Sequence, residues 1–193
     1  VRLAAVHALG MITGAGGAPL GVERLLEVAQ TATEPTLVAA ACRALGAVAD
    51  PRALPVLGAL LEREPFVAVV ALETHGGFQS AERNEALAVG LAHADSEVVK
   101  SAMRVLASAR DARTVERLSA CLDHVEWDVR RLAAEVLGAL GGDDALNLLR
   151  GRLSVEAQEL VRDEIVRAIT AAETTSGRRR TAPPPSLRGM RRE

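Results

Sequence analysis

Aromatic residues are nearly missing from this chain: its 193 residues include no Tyr, two Phe (Phe66 and Phe78) and one Trp, Trp127. With 49% hydrophobic residues, a core must therefore be assembled from Ala, Leu and Val, which requires close approach of the backbones that carry them. Lys is almost as scarce. Only Lys100 breaks an otherwise all-Arg basic set, a bias expected of a high-GC bacterial coding sequence. Two cysteines, Cys42 and Cys121, cannot supply a disulfide framework; both fall in apolar helical stretches and are expected to be small buried hydrophobes. No apolar run approaches the roughly 18 residues of a spanning helix. Hairpin dipeptides between alternating runs are also lacking, which argues against sheet. What remains is a soluble globular chain. It shows no signal segment, which places it in the cytoplasm as an expectation; Val1 is not an initiator Met, and residues upstream, including further repeats, are expected to be missing.

Charge divides the chain in two. Residues 174–193 hold six Arg (Arg178, Arg179, Arg180, Arg188, Arg191 and Arg192) against Glu193, a net +5, whereas residues 1–173 carry −7. An acidic body has no global attraction for nucleic acid or an anionic membrane. The tail, with Pro183-Pro184-Pro185 and little apolar content, is expected to be a disordered basic appendage with at most weak polyanion contact.

The body repeats itself. The stretch VRLAAVHALG at 1–10 recurs as LVAAACRALG at 37–46, VVKSAMRVLA at 98–107 and VRRLAAEVLG at 129–138. Anchored on the ninth position, the series is Leu9, Leu45, His75, Leu106, Leu137 and Ile169, spaced by 36, 30, 31, 31 and 32 residues. Unit three matches least well, with Thr74 and His75 where Leu-Gly is expected. Each unit reads as an apolar helix, a turn marked by Gly or Asp, and a second apolar helix. In unit two, Asp50 and Pro51 suit a cap and a first helical position, and Leu54, Leu57, Leu60 and Leu61 form one stripe. Unit four repeats this with Asp111 before Val115, Leu118, Cys121 and Leu122. Unit five has Gly141-Gly142-Asp143 before Leu146, Leu149 and Leu153.

These motifs, Val129-Arg130-x-x-Ala133-x-x-x-Leu137-Gly138 in a first helix and Asp50-Pro51-Arg52-Ala53-Leu54-Pro55-x-Leu57 in a second, resemble HEAT-like repeats of the short phycobilisome-lyase type. The resemblance covers about residues 1–173. It implies an all-α, right-handed α-solenoid of armadillo-like character. The units are 1–34, 35–64, 65–95, 96–126 and 127–155, followed by a capping helix at 156–173 and the tail at 174–193. No single helix pair can bury its own apolar face, so neighbours must stack.

Candidate chemistry is sparse. A related iron-dependent hydroxylase family uses His-Glu dipeptides as ligands, but His7, His75, His93 and His124 precede Ala8, Gly76, Ala94 and Val125, and no two lie four apart. Neither a metal site nor a cofactor is expected. The run Gly14-Ala15-Gly16-Gly17-Ala18-Pro19 follows a helix and lacks a phosphate-loop Lys, so it reads as an enlarged loop. Ser101, Ser119 and the cysteines lie outside any nucleophile elbow. Trp127 is expected to pack in the turn while Asp128 caps the following helix; the other readings are an exposed anchor or a base-stacking residue as in HEAT-like DNA glycosylases.

The resulting expectation is a protein-binding scaffold without catalytic residues. The resemblance implies that second helices line the concave face, with Glu23, Glu27, Arg52, Glu62, Glu85, Arg113, Glu116 and Arg150 as partner-facing positions. This mixed charge favours a protein partner. The alternatives are a non-metal lyase or isomerase subunit of the bilin-lyase type and, resting mainly on the tail, a nucleic-acid binder.

Overall fold

In the computed structural model the described residues are 2–11, 21–78, 81–109 and 113–181, with side chains described except at 81–84, 109 and 175–181. The Gly14–Pro19 run, Asp111 and residues 182–193 fall outside them. All regular structure among the described residues is helical: α1 (Arg2–Met11), α2 (Val22–Thr31), α3 (Pro35–Val48), α4 (Ala53–Ala59), α5 (Pro65–Gly76), α6 (Ala81–Leu91), α7 (Ser96–Ala109), α8 (Thr114–Ser119), α9 (Trp127–Leu140), α10 (Asp143–Leu153) and α11 (Glu159–Thr181). Short 3₁₀ turns, Leu60–Glu62 and Ala120–Asp123, extend α4 and α8. The expected helix pairs are all present, followed by α11.

The chain divides into two compact units, Val1–Arg117 and Leu118–Glu193. In the first, the odd-numbered helices stack in order, α1 on α3, α3 on α5 and α5 on α7, while α2, α4 and α6 form a second layer. Val38, Ala39, Ala41, Cys42 and Leu45 of α3 are wholly buried between its neighbours, as are Val67, Ala68, Ala71 and Leu72 of α5. Leu54, Leu57, Leu60 and Leu61 are buried as the stripe predicts. In the second unit α11 packs along α9, with α10 against both, and Val161, Ile165, Ala168 and Ala172 are its buried face.

One contact recurs at every described step within a unit and explains the Leu-Gly ending of the first helices. A Cβ built on Gly10 would lie 3.0 Å from Ala44 Cβ; one on Gly46, 2.7 Å from Thr74 Cγ2; one on Gly76, 2.2 Å from Val105 Cγ1; one on Gly138, 2.7 Å from both Cα and Cβ of Ala168. Ala44, Thr74, Val105 and Ala168 each stand one residue before the anchor of the following unit. The glycine thus lets each first helix settle against the next, the close approach that a core without aromatics requires. This corrects the reading of unit three. His75, 1% exposed, fills the Leu place, and Gly76 holds the glycine place intact.

Helix starts follow local chemistry. Pro35 and Pro65 open α3 and α5, where a missing N–H costs nothing. Gly141 (φ 66°) and Gly142 (φ 95°) make the turn into α10 in a region that side chains avoid. Asp143 and Asp144 at the start of α10, and Arg150 and Arg152 at its end, complement its dipole. Two boundaries differ from expectation. Asp50 closes the turn before α4, its Oδ1 accepting the Arg52 N–H at 3.0 Å, and the helix begins at Ala53 rather than Pro51. The last helix begins at Glu159, not 156, and continues through 174–181, residues expected in the tail. No Pro intervenes before Pro183, and Arg residues suit a helix C-terminus.

Candidate protein-interaction surface

Of the positions expected to face a partner, Glu23 and Glu27 are exposed on α2, Arg52 precedes α4, Glu62 ends the 3₁₀ turn after it, and Glu85 is exposed on α6. Arg113 and Glu116 are exposed at the start of α8, and Arg150 is exposed on α10 in the second unit. The first unit brings two of them together: Arg52 pairs with Glu23 of the preceding second helix and with Asp50 at 2.7 Å. Hydrogen bonds donated by the Arg52 guanidinium and backbone N–H hold the Asp50 carboxyl below its ordinary value, and the side-chain bond raises Arg52. Glu27 pairs with Arg24 along α2, and Arg150 with Glu173 at 2.7 Å.

The second-helix layer carries a groove in each unit. That of the first, about 280 Å³, is lined by Gln30 of α2, Pro55, Val56, Ala59 and Leu60, with Arg63 at its end. That of the second, about 300 Å³, is lined by Ser119, Ala120, Leu122 and Asp123 on one side and Leu148, Gly151, Arg152 and Val155 on the other. These are the same place in the repeat. Val56 and Leu148, Ala59 and Gly151, Leu60 and Arg152, and Arg63 and Val155 are each 92 residues apart in sequence. The first groove is mainly apolar with Arg63 at its end, whereas the second is the more polar, with Leu122, Leu148 and Val155 beside Asp123 and Arg152.

Behind the second groove lies a buried electrostatic clamp absent from the sequence reading. Glu156, its side chain 1% exposed, accepts two hydrogen bonds from Arg130, at 2.8 and 3.0 Å, and two from Arg152, at 3.0 and 2.7 Å. Arg152 also reaches Asp123 at 2.8 Å. The Arg130 bonds, reinforced by the Gln158 N–H and Arg152 and opposed by burial, pull the Glu156 carboxyl down to about 2. The turn residue one repeat earlier is His124, and the one before that His93. Their Nδ1 atoms accept the N–H two residues on, from Glu126 at 3.1 Å and Asp95 at 2.9 Å, as Glu156 Oε1 does from Gln158 at 2.9 Å. These histidines therefore close turns. Among the described residues no group of three or more His, Cys, Asp or Glu is placed to hold a metal ion.

Trp127 departs from its expected place. It is 42% exposed at the first position of α9 instead of packed in the turn. Cys42 and Cys121 are buried free thiols, and burial pushes both up to about 11. Among the described residues no helix is long and apolar enough to cross a membrane.

Stacked helix pairs, a glycine at each described step within a unit and repeat-related grooves define an α-helical repeat protein of the solenoid class. HEAT repeats match residues 84–170, and the PBS lyase HEAT-like repeat matches residues 37–63; the chain is a HEAT-like repeat protein. Similar solved structures include two engineered proteins. One is 21% identical over 90% of this chain and 92% of its own, at a TM-score of 0.52. The other is 21% identical over 89% of this chain and 53% of its own, at 0.53. Human deoxyhypusine hydroxylase in complex with glycerol is 19% identical over 90% of this chain and 79% of its own, at 0.48. No curated protein matches the chain.

Proposed function

We propose that this protein is a binding scaffold without catalytic activity of its own, and that its second helices present the surface for a protein partner. The observation that carries this reading is the pair of repeat-related grooves, each combining apolar side chains with a charged end. Each suits one apolar side chain of a partner, and exposed Glu62 and Glu85 in the same layer would set orientation and encounter rate. The internal pair Glu23–Arg52 holds the layer's own charges in register, and Arg150 is tied to Glu173 of α11. A lyase role of the bilin type has only the short match at 37–63 behind it.

The test is affinity purification of the full chain with quantitative mass spectrometry, comparing wild type with a Glu62→Arg, Glu85→Arg double variant. Loss of about nine-tenths of a specific co-purifying protein, with an unchanged melting temperature, is the expected result, since charge mismatch across an interface is costly. An unchanged set of co-purifying proteins would remove the second-helix layer from consideration.

A further inference from the structure

Four large apolar side chains lie exposed along one edge of the second unit: Val125 at 85%, Val155 at 69%, Leu160 at 54% and Trp127 at 42%. Val125 lies in the turn entering α9 and Trp127 opens that helix; Val155 lies in the turn entering α11 and Leu160 is the second residue of that helix. The two turns are clamped side by side. The Arg130 guanidinium donates to the Val125 carbonyl at 2.9 Å and also to both oxygens of Glu156, the neighbour of Val155. An exposed apolar cluster that includes a Trp has the composition of a docking site.

Its rim is acidic. Glu126, Glu159 and Asp163 are exposed around it, beyond Asp123, which Arg152 holds, whereas the nearby guanidinium groups are already engaged. Arg130 and Arg152 hold Glu156, and Arg162 donates to the Leu153 and Glu156 carbonyls at 3.0 and 2.9 Å. The fitting occupant is therefore apolar and basic.

The chain itself contains a segment of that chemistry. Residues 182–193 carry Leu187 and Met190 three apart, with Arg188, Arg191 and Arg192 beside them. Geometry keeps Leu187, and so the Leu187–Met190 pair together, from its own edge. Leu160 and Thr181 are ends of one helix, about 31 Å apart at 1.5 Å per residue, while Leu187, six residues beyond Thr181, can reach back only about 22 Å.

We propose that the edge docks residues 182–193 of a second copy of the chain. Leu187 and Met190 cover Val125, Trp127, Val155 and Leu160, and the three arginines meet the rim carboxylates. This proposal is independent of the second-helix reading.

Trp127, the sole tryptophan, reports the site directly. A synthetic peptide of residues 182–193 is titrated into dilute full-length protein while its emission is followed, and sedimentation is measured on concentrated protein. The expected results are a saturable emission change with a Kd of tens of micromolar, weakened about fivefold or more between low and high salt, and self-association that the peptide reverses. The peptide with Leu187→Ser and Met190→Ser should lose at least about nine-tenths of that affinity. Because the peptide variant leaves the protein untouched, misfolding cannot mimic this result. An unresponsive Trp127, a monomer at every concentration, or equal binding by the serine peptide, which would mean charge attraction alone, each overturns the proposal.

Discussion

Arg130 grips Glu156 across 26 residues of chain with two parallel hydrogen bonds, Nε to Oε2 at 2.8 Å and Nη2 to Oε1 at 3.0 Å. The same guanidinium donates to the His124 carbonyl at 2.8 Å. One repeat on, Arg162 donates to the Glu156 carbonyl at 2.9 Å. In both places an Arg on a first helix ties down the turn six residues before it. This gives the Val-Arg motif a mechanical reason, with Glu156 adding a clamp to the next unit.

Acid should loosen this clamp. The Glu156 carboxyl lies at about 2 in the folded chain against an ordinary 4.5, so its contribution is complete above about pH 4.5 and is lost as pH falls toward 2. Glu156→Gln should cost about 2 to 3 kcal/mol at pH 7, because Arg130 keeps its carbonyl partners but loses a buried counter-charge. In urea melts, the gap between wild type and variant should close between pH 4.5 and 2.

The glycines should divide by what their Cβ would meet. Gly138→Ala drives a methyl into the α11 backbone, 2.9 Å from the Ala168 carbonyl oxygen, and should destabilise by about 1 to 3 kcal/mol. Gly151→Ala meets nothing within 4 Å and should stabilise α10 by about 0.5 to 1 kcal/mol. Thermal melts of the two variants should move in opposite directions.

Core and surface of the second helices should separate cleanly. Leu57 is wholly buried, and Leu57→Ala should cost about 2 to 5 kcal/mol. Reversal of exposed Glu62, five residues on, should stay within about 0.5 kcal/mol. Denaturant midpoints measure both.

Cys42 and Cys121 should be silent toward thiol reagents in the native state. Burial raises both thiols to about 11, which leaves almost no thiolate at pH 8. A colorimetric thiol assay should register both only after denaturation.

The repeat was legible because its signals are local and periodic. A Leu or its substitute every 30 to 36 residues, with Gly or another small residue after it, marks where first helices meet. Identity matching faltered at unit three, where His75 fills an apolar place that Leu usually holds, yet Gly76 kept the packing rule. Glu156 was hidden for a different reason. Its partners Arg130 and Arg152 lie 26 and 4 residues away, and only the folded turn makes one carboxylate serve both. Sequence placed Glu156 in a helix, whereas its bonds require the turn before it. The exposure of Trp127 was only the second reading from sequence, since the direction of a helix-opening side chain depends on how the preceding turn is tied. The two grooves were present in the sequence as residues 92 apart, but a groove is a gap between helices and leaves no residue signature of its own.

The central claim, that partners meet the second-helix layer, is tested most directly by site-specific photo-crosslinking in the producing cell. A photoreactive residue is placed at Ala59 or Gly151, exposed in the two grooves, and for comparison at Ala47 or Ala139, exposed on first helices α3 and α9. The account predicts one and the same protein crosslinked from Ala59 and Gly151 and absent from Ala47 and Ala139. Crosslinking of that protein from Ala47 and Ala139, with none from the grooves, would contradict it.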